Sequence, residues 1–527
     1  MIKKSRLLMF FALVFTSILI AACSNSENTS NESTTNDNKD SETTSEQTTN
    51  VEQVFNIAVD QEPAGLDPHK TPAQSSVRIY GQTYEGLVTF DENMQIVGQL
   101  AESWEQPDDT TYIFHLVEGV KFHNGREMTA DDVKYSFDRI MAEETASHIK
   151  SYFANVKAIE VVDPLTVKIT VNTPDATFLT NLTNSSAVVV AKEVVEENGD
   201  LQQVVVGTGP FKFEEWVPDN HVTLVKNEDY YIEGQPKLDK VVFNTMKEES
   251  SRLSAIRTGA IDFAMVSAKS AELIKDNSDI NIMNYQSLEY SYIGFNVNKE
   301  PFNNEKVRQA LSLATDRQTI ANIVWNGDAI ISGPVAPSMG DWAIDVNKEE
   351  LYQRDIEKAK QLLAEAGYEN GFDTVITTAS TYPDMVDTAQ ILQQQWKEIG
   401  VNASIKQIEW GEYIETWSNT SADILVGRNG SGIDPDRALN YFFHTDGSAN
   451  VWGFSNEDFD KLVTQGKQTI DSDERHAIYT EAQKQLINLS PNLFLVSPMN
   501  FVAVRSNVEG YTPYPHNALD LVNIIKK

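Results

Sequence analysis

The chemistry legible in this chain starts with a thiol. Cys23 is the one cysteine in 527 residues. It follows Ile20, Ala21 and Ala22, which close a run from Leu7 that is apolar except at Thr16 and Ser17, with Lys3, Lys4 and Arg6 ahead of it. A basic start, an apolar stretch somewhat short for a membrane span and two small residues make a secretory signal. The small residues leave room for a peptidase, and the thiol behind them is a nucleophile able to take a lipid.

A second set of groups lies far downstream. Gly427-Arg428-Asn429-Gly430-Ser431-Gly432-Ile433-Asp434-Pro435-Asp436 follows the strand Asp423 to Val426, and its glycines let backbone approach a ligand closely. Arg428 offers a forked donor suited to a carboxylate, or it forms a salt bridge to a loop aspartate. Trp410, Tyr413 and Trp417 form an aromatic segment. Ser380, Tyr382 and Pro383 sit in the loop Thr377 to Asp384, at the end of a strand. Near the other end of the chain, Glu62, Pro63 and Ala64 belong to a Pro- and Gly-rich turn after the strand-like Val54, Phe55, Ile57 and Val59. Strand-end turns of this type bind ligands in open α/β sheets. Glu62 is either such a contact or a solvated turn acid.

Catalytic chemistry is hard to find. The chain lacks His-Glu-x-x-His, Gly-x-Ser-x-Gly, a Walker loop and a calcium-hand loop. Its eight histidines, at 69, 115, 123, 148, 221, 444, 476 and 516, have no metal-ligand spacing. No catalytic residue, metal or cofactor is expected. A net charge of −35 argues against nucleic acid as a partner. With no cysteine beyond Cys23, the fold must rest on core burial, and its length suggests at least two large lobes.

The elements that would position these groups are readable in places. Ser24 to Asn50 holds no apolar residue and reads as a disordered leash. Tyr112, Phe114 and Leu116 alternate as a half-buried strand, and Thr129 caps a helix with Asp131 and Asp132 in its first turn and Val133, Phe137 and Ile140 on one face. Leu253 to Asp262 fits a helix stopped at Gly259, and Val307 to Ala314 fits another. Helices over Asp355–Ala366 and Asp387–Ile399, stopped at Gly367 and Gly400, alternate with strands at Phe372–Ile376 and Val401–Ile405, which indicates an α/β lobe. Leu493 to Ser497 and Phe501 to Val504 are strand-like, and Tyr511 to His516 reads as a loop.

Leu100 to Ile140 resembles the signature of the extracellular solute-binding protein family 5, the dipeptide- and oligopeptide-binding lipoproteins of ABC importers. Gly65-Leu66-Asp67-Pro68-His69, Gly207-Thr208-Gly209-Pro210-Phe211, Arg257-Thr258-Gly259-Ala260-Ile261-Asp262, Phe295-Asn296-Val297-Asn298 and Val307-Arg308-Gln309-Ala310 extend the likeness. Ile20-Ala21-Ala22-Cys23 likewise resembles a lipobox. The resemblance implies a two-lobed, periplasmic-binding-protein-like α/β fold of the large type II, peptide-binding subclass. Residues 1–22 would be the signal peptide and 23–50 the lipidated cysteine and linker. The first lobe would take 51–295 and 497–527, with an extra subdomain at about 78–204, and the second lobe 296–496. The chain would cross between lobes near Asn296 and Met499.

By the same resemblance the protein is a monomeric, non-catalytic, lipid-anchored binding protein on the outer face of the cytoplasmic membrane. It would hand a peptide or peptide-like solute to permease subunits. Glu62, Pro63, Ala64, Ser380, Tyr382, Trp410, Trp417, Arg428, Gly430, Ser431 and Asp434 are the expected ligand contacts. In peptide-binding relatives, the position four residues before the loop proline is an aspartate that pairs with the peptide amino group. Here it is Ser431, which cannot neutralise an ammonium, so Asp434, Asp436 or Glu62 would have to compensate. Other solutes in the same fold, such as nickel chelate, glutathione, an opine or an oligosaccharide, stay open, as does a tethered peptidase or chaperone.

Mass spectrometry of the mature protein is expected to find a diacylglyceryl group on Cys23, and Cys23→Ala is expected to leave the chain unprocessed or released into the medium. An unmodified thiol in the wild type overturns the lipid anchor.

Overall fold

The structure, a computed structural model, describes residues 53–91, 94–513, 515 and 519–527. The signal segment, Cys23, the polar linker and His516 lie outside the described residues. Two mixed sheets, each with helices against it, centre the two lobes. The first sheet has eight strands, with Val54–Val59 lying parallel between Lys240–Thr245 and Phe263–Val266. Phe55 and Ile57, the residues that mark this strand in the sequence, are at most 1% exposed. The second sheet has five strands in the order Val401–Ile408, Phe372–Ala379, Ile424–Gly430, Glu289–Phe295 and Asn492–Phe494, and the first three run parallel.

Local signals explain many of these elements. Thr111–Leu116 buries Tyr112, Phe114 and Leu116 on one face within a four-stranded antiparallel sheet. Helix Ala130–Met141 starts at Thr129 with a capping box, the Asp132 carboxylate accepting from the Thr129 N–H at 2.9 Å. Its Val133, Phe137 and Ile140 are fully buried. The four-stranded sheet and this helix share one core with the first lobe. Helix Glu249–Thr258 ends at Gly259, and Gly367 and Gly400 follow helices Ile356–Glu365 and Pro383–Lys397, all three at positive φ.

The chain first crosses between sheets earlier than its sequence suggests. Glu289–Phe295 pairs with Ile424–Gly430 and with Asn492–Phe494, so it belongs to the second sheet. The first crossing therefore falls at Ser287–Leu288 rather than near Asn296, and residues 289–295 leave the first lobe. The return falls where expected: Leu495 and Val496 are still buried in the second core, and pairing with the first sheet begins at Met499, opposite Gln286. Tyr290, Tyr292, Ile293 and Phe295 are all essentially buried. A strand buried on both faces has no alternation that would reveal which sheet it joins.

Both crossings lie side by side. Ile280–Gln286 is antiparallel to Val496–Arg505 in the first sheet, and Glu289–Phe295 is antiparallel to Asn492–Phe494 in the second. The Gln286 amide donates to the Ser497 carbonyl at 2.8 Å and to its hydroxyl oxygen at 2.9 Å. The hydroxyls of Ser497 and Ser338 donate to the Ser287 carbonyl at 3.0 and 2.8 Å.

One buried acid stands out in the first lobe. Glu85, 2% exposed, accepts from the hydroxyls of Tyr230, Tyr231 and Thr208 at 2.8, 3.2 and 2.9 Å. Burial pushes its carboxyl up to about 7, against the opposing pull of those donors. Because the folded value lies above the unfolded one, the stabilisation is present below about pH 4.5 and is lost as pH rises to about 7. Glu85→Gln is expected to flatten this part of the stability profile, which spans up to about 3 kcal/mol. Denaturant titrations at pH 4.5 and 7.5 check it, and an unchanged slope overturns the assignment.

Candidate functional site

Three parallel strands of the second sheet end together. Ala379 pairs with Ile408, and just beyond them the Ser380 N–H and hydroxyl donate to the Ile408 carbonyl at 2.8 and 3.1 Å. Helix Pro383–Lys397 begins after Tyr382, and helix Trp410–Ser418 begins after Glu409, whose side chain accepts from the Gly411 N–H at 2.8 Å. These starts bring Tyr382 and Trp410 together, with ring centroids 4.8 Å apart and planes at 76°. Trp410 in turn stacks on Tyr413 at 5.2 Å and 10°. The Tyr413 hydroxyl donates to the Val426 carbonyl, which fixes the stack to the neighbouring strand.

Arg428 completes this group. Its guanidinium lies 4.8 Å from the centre of the Tyr382 ring, and its Nε is 3.6 Å from an Asp384 carboxylate oxygen. The partner is Asp384, the last residue of the loop read from the sequence, which the structure places in the first turn of helix Pro383–Lys397. Trp417 does not join the group. It lies further along its helix and packs in the second core, within hydrogen-bonding reach of Tyr292.

The loop after Ile424–Gly430 is held from within. Ser431 is fully buried, its hydroxyl accepts from the Ala336 N–H at 2.9 Å, and its own N–H donates to the Leu288 carbonyl. Gly430 is half-buried, with open space where a Cβ would project. The Asp434 carboxylate accepts from Arg475 at 2.6 Å and from the Asp436 N–H at 2.9 Å. Asp436 accepts from the Tyr479 hydroxyl at 2.9 Å and from Asn440 at 3.1 Å, and burial together with the nearby Asp434 charge pushes its carboxyl up to about 6.

In the first lobe, Glu62 accepts from the Asp219 N–H at 3.0 Å and from the Trp216 indole N–H at 3.4 Å. It thereby braces the turn between strands Phe211–Val217 and His221–Lys226. Pro63 is buried, and the exposed Ala64 donates its N–H to the Ser76 hydroxyl oxygen at 3.0 Å. The three acids that were to replace the aspartate missing at Ser431 are thus all committed: Asp434 to Arg475, Asp436 to Tyr479, and Glu62 to its turn.

The lobes touch at a seam that sequence reasoning did not find. Arg437 donates from one terminal nitrogen to the Tyr152 hydroxyl at 3.2 Å, and the Ala176 N–H donates to the Lys467 carbonyl at 2.8 Å. Tyr152 packs on the first core, while Lys467 belongs to helix Glu457–Gln468, which buries Phe459 and Val463 in the second. The available signal was only an arginine directly after Asp436 at the end of the glycine-containing loop.

Among the described residues, no cluster of three or more His, Cys, Asp or Glu side chains could hold a metal. His444 accepts from the Asp446 N–H at 3.0 Å. Arg428, stacked on the face of Tyr382, can hold a planar anion at the edge of its guanidinium. Asp384→Ala, which frees Arg428, is expected to change stability by less than about 1 kcal/mol, since the pair is single, long and partly solvated. A loss of about 3 kcal/mol in chemical denaturation would instead make Arg428 a fixed structural cation.

Known proteins share this architecture. The family model of the bacterial extracellular solute-binding proteins, family 5 middle region, matches residues 95–450. Heme-binding protein A of Haemophilus influenzae is 32% identical over 471 residues, covering 82% of this chain and 85% of that protein. The glutathione-binding protein GsiB of Escherichia coli is 29% identical over 474 residues, covering 87% and 92%. Among solved structures, the ABC transporter-associated periplasmic binding protein DppA from Helicobacter pylori, in complex with the peptide STSA, is similar with a TM-score of 0.77 and 29% identity, covering 90% of this chain and 98% of that one. With two lobes built in the same way and a family match over most of its length, the chain belongs to the extracellular solute-binding proteins of family 5.

Proposed function

We propose that this protein captures a peptide or peptide-like solute between its lobes and delivers it to an ABC permease, as a monomer tethered by lipid at Cys23. The observation that carries the reading is the Arg428–Tyr382–Trp410 group at the ends of three parallel strands, where open α/β sheets bind ligands. Flat rings suit peptide planes and side chains, and the loop at Gly430 leaves room for a ligand backbone. Relatives that bind a peptide and glutathione support that class. The Cys23 tether rests on the sequence alone.

The environment of Ser431 sets the specificity. With a buried, committed hydroxyl in place of a carboxylate, and with Asp434 and Glu62 engaged elsewhere, the ligand's amino group lacks a dedicated counter-charge. Backbone hydrogen bonding then carries most of the recognition, which tolerates varied side chains.

Thermal unfolding of the mature protein with the tetrapeptide Ser-Thr-Ser-Ala, glutathione, heme, a nickel–histidine chelate and a trisaccharide tests this reading. A ligand at a hundredfold excess over its Kd adds about 2.7 kcal/mol to the native state, so peptide or glutathione is expected to raise Tm. A response to sugar or heme alone overturns the peptide class, and cleavage of a labelled peptide overturns a purely binding role. In calorimetry, acetylating the amino terminus of a binding peptide is expected to weaken it less than tenfold, or about 1.4 kcal/mol. A thousandfold loss would mean that an acid pairs with the amine after all.

A further inference from the structure

Arg437 is an exception among the described arginines of this acidic protein. Of the described arginines, it alone has neither a carboxylate within 4 Å nor a main-chain carbonyl as hydrogen-bond partner. The nearest acids in sequence, Asp434 and Asp436, are taken by Arg475 and by Tyr479 with Asn440. Of the five N–H donors of a guanidinium, Arg437 commits one, to the Tyr152 hydroxyl at 3.2 Å.

The surroundings hold this cation in place. Its guanidinium carbon lies 4.6 Å from the Tyr441 ring centre and 5.9 Å from that of Phe442. Its stem crosses Gly432, where an added Cβ would come within 2.4 Å of the Arg437 Cδ. Gly432 has φ +73°, so glycine here satisfies both the turn and the passage of the arginine. An arginine packed on rings with most donors uncommitted is preorganised for a planar anion, since a carboxylate matches the fork in two parallel hydrogen bonds. The bond to Tyr152 sets it at the seam between lobes. Arg428 on the same stretch and neutral Ser431 between them leave the loop with cations where an acid was expected.

We propose that Arg437 seats a carboxylate of the bound solute at this seam, so that the ligand is a peptide-like acid held by a carboxyl group. This rests on the reading that the solute binds between the lobes. Closing brings the Tyr152 hydroxyl to the same anion, which couples recognition of the acid to lobe contact.

Titration of the mature protein with Ala-Ala-Ala, Ala-Ala-Glu and glutathione, each with free and with amidated carboxyl groups, tests the proposal by calorimetry. In the wild type, amidation of the best-bound probe is expected to cost about thirtyfold or more in affinity, as when one partner of a desolvated charge pair is removed. Arg437→Gln is expected to bind the free acid weakly and to lose the discrimination against the amide, whereas Arg437→Lys retains part of it. Tyr152→Phe is expected to weaken the free acid more than the amide, and so to reduce the discrimination without abolishing it. Unfolding of the ligand-free variants establishes that each is folded; if Arg437→Gln is not, Arg437→Lys and Tyr152→Phe carry the test. A wild type that binds free and amidated probes equally, or an Arg437→Gln variant that still discriminates, overturns this proposal and leaves the binding function standing. A wild type that binds none of the probes overturns the peptide reading and this inference with it.

Discussion

The pairing of two strands that run from one sheet into the other is the constraint on which this molecule depends. Ile280–Gln286 with Val496–Arg505, and Glu289–Phe295 with Asn492–Phe494, form an antiparallel ribbon that is an integral part of both sheets. Sliding one strand against the other would reverse which side chains face each core, so the register is held from both ends. What remains adjustable is the short span at Ser287 and Leu288 and, opposite them, Ser497 and Pro498. Even there, the serine hydroxyls and the Gln286 amide tie the two chains together. The lobes can therefore change angle while the ribbon keeps its pairing, which is hinge closure in a few residues at the ends of elements.

Against that fixed frame the groups proposed to bind solute are supplied unequally. The second lobe contributes strand ends, two helix starts, an aromatic stack and two arginines, while the first contributes the Glu62–Ala64 turn and Tyr152. Most acids near the site serve the fold. Asp434 anchors Arg475 and Asp384 flanks Arg428, so each of these acids faces an arginine. The overall charge of −35 thus says little about the charge preference of the site.

Features fixed by neighbouring residues were legible in the sequence. The Thr129 capping box, the glycine stops and the alternation of Thr111–Leu116 depend on positions within one or two turns of each other, and the structure has them where the sequence placed them. Tyr382, Trp410 and Arg428 were picked out singly, and the strand ends bring them together. Distant pairings were not legible. Arg475 lies in a helix far from Asp434, Tyr152 lies in the first lobe, and nothing local to either announces its partner. Trp417 resembled its neighbour Trp410 in type, but Trp410 starts the helix beside Tyr382, whereas Trp417 lies near its other end. The crossing at Ser287 was hidden because Tyr290 to Phe295 is apolar on both faces.

The seam joins the lobes by few bonds, a tyrosine hydroxyl to a guanidinium and one main-chain amide to a carbonyl, and water can satisfy all four groups once the lobes part. Such exchanges contribute only about 0.5–1.5 kcal/mol each. An empty molecule consequently has little reason of its own to stay shut, and a solute bridging the lobes supplies the difference in free energy that shifts the population. The state shown to a membrane partner then reports the presence of cargo, because the binder alone is too weakly self-adherent to counterfeit it.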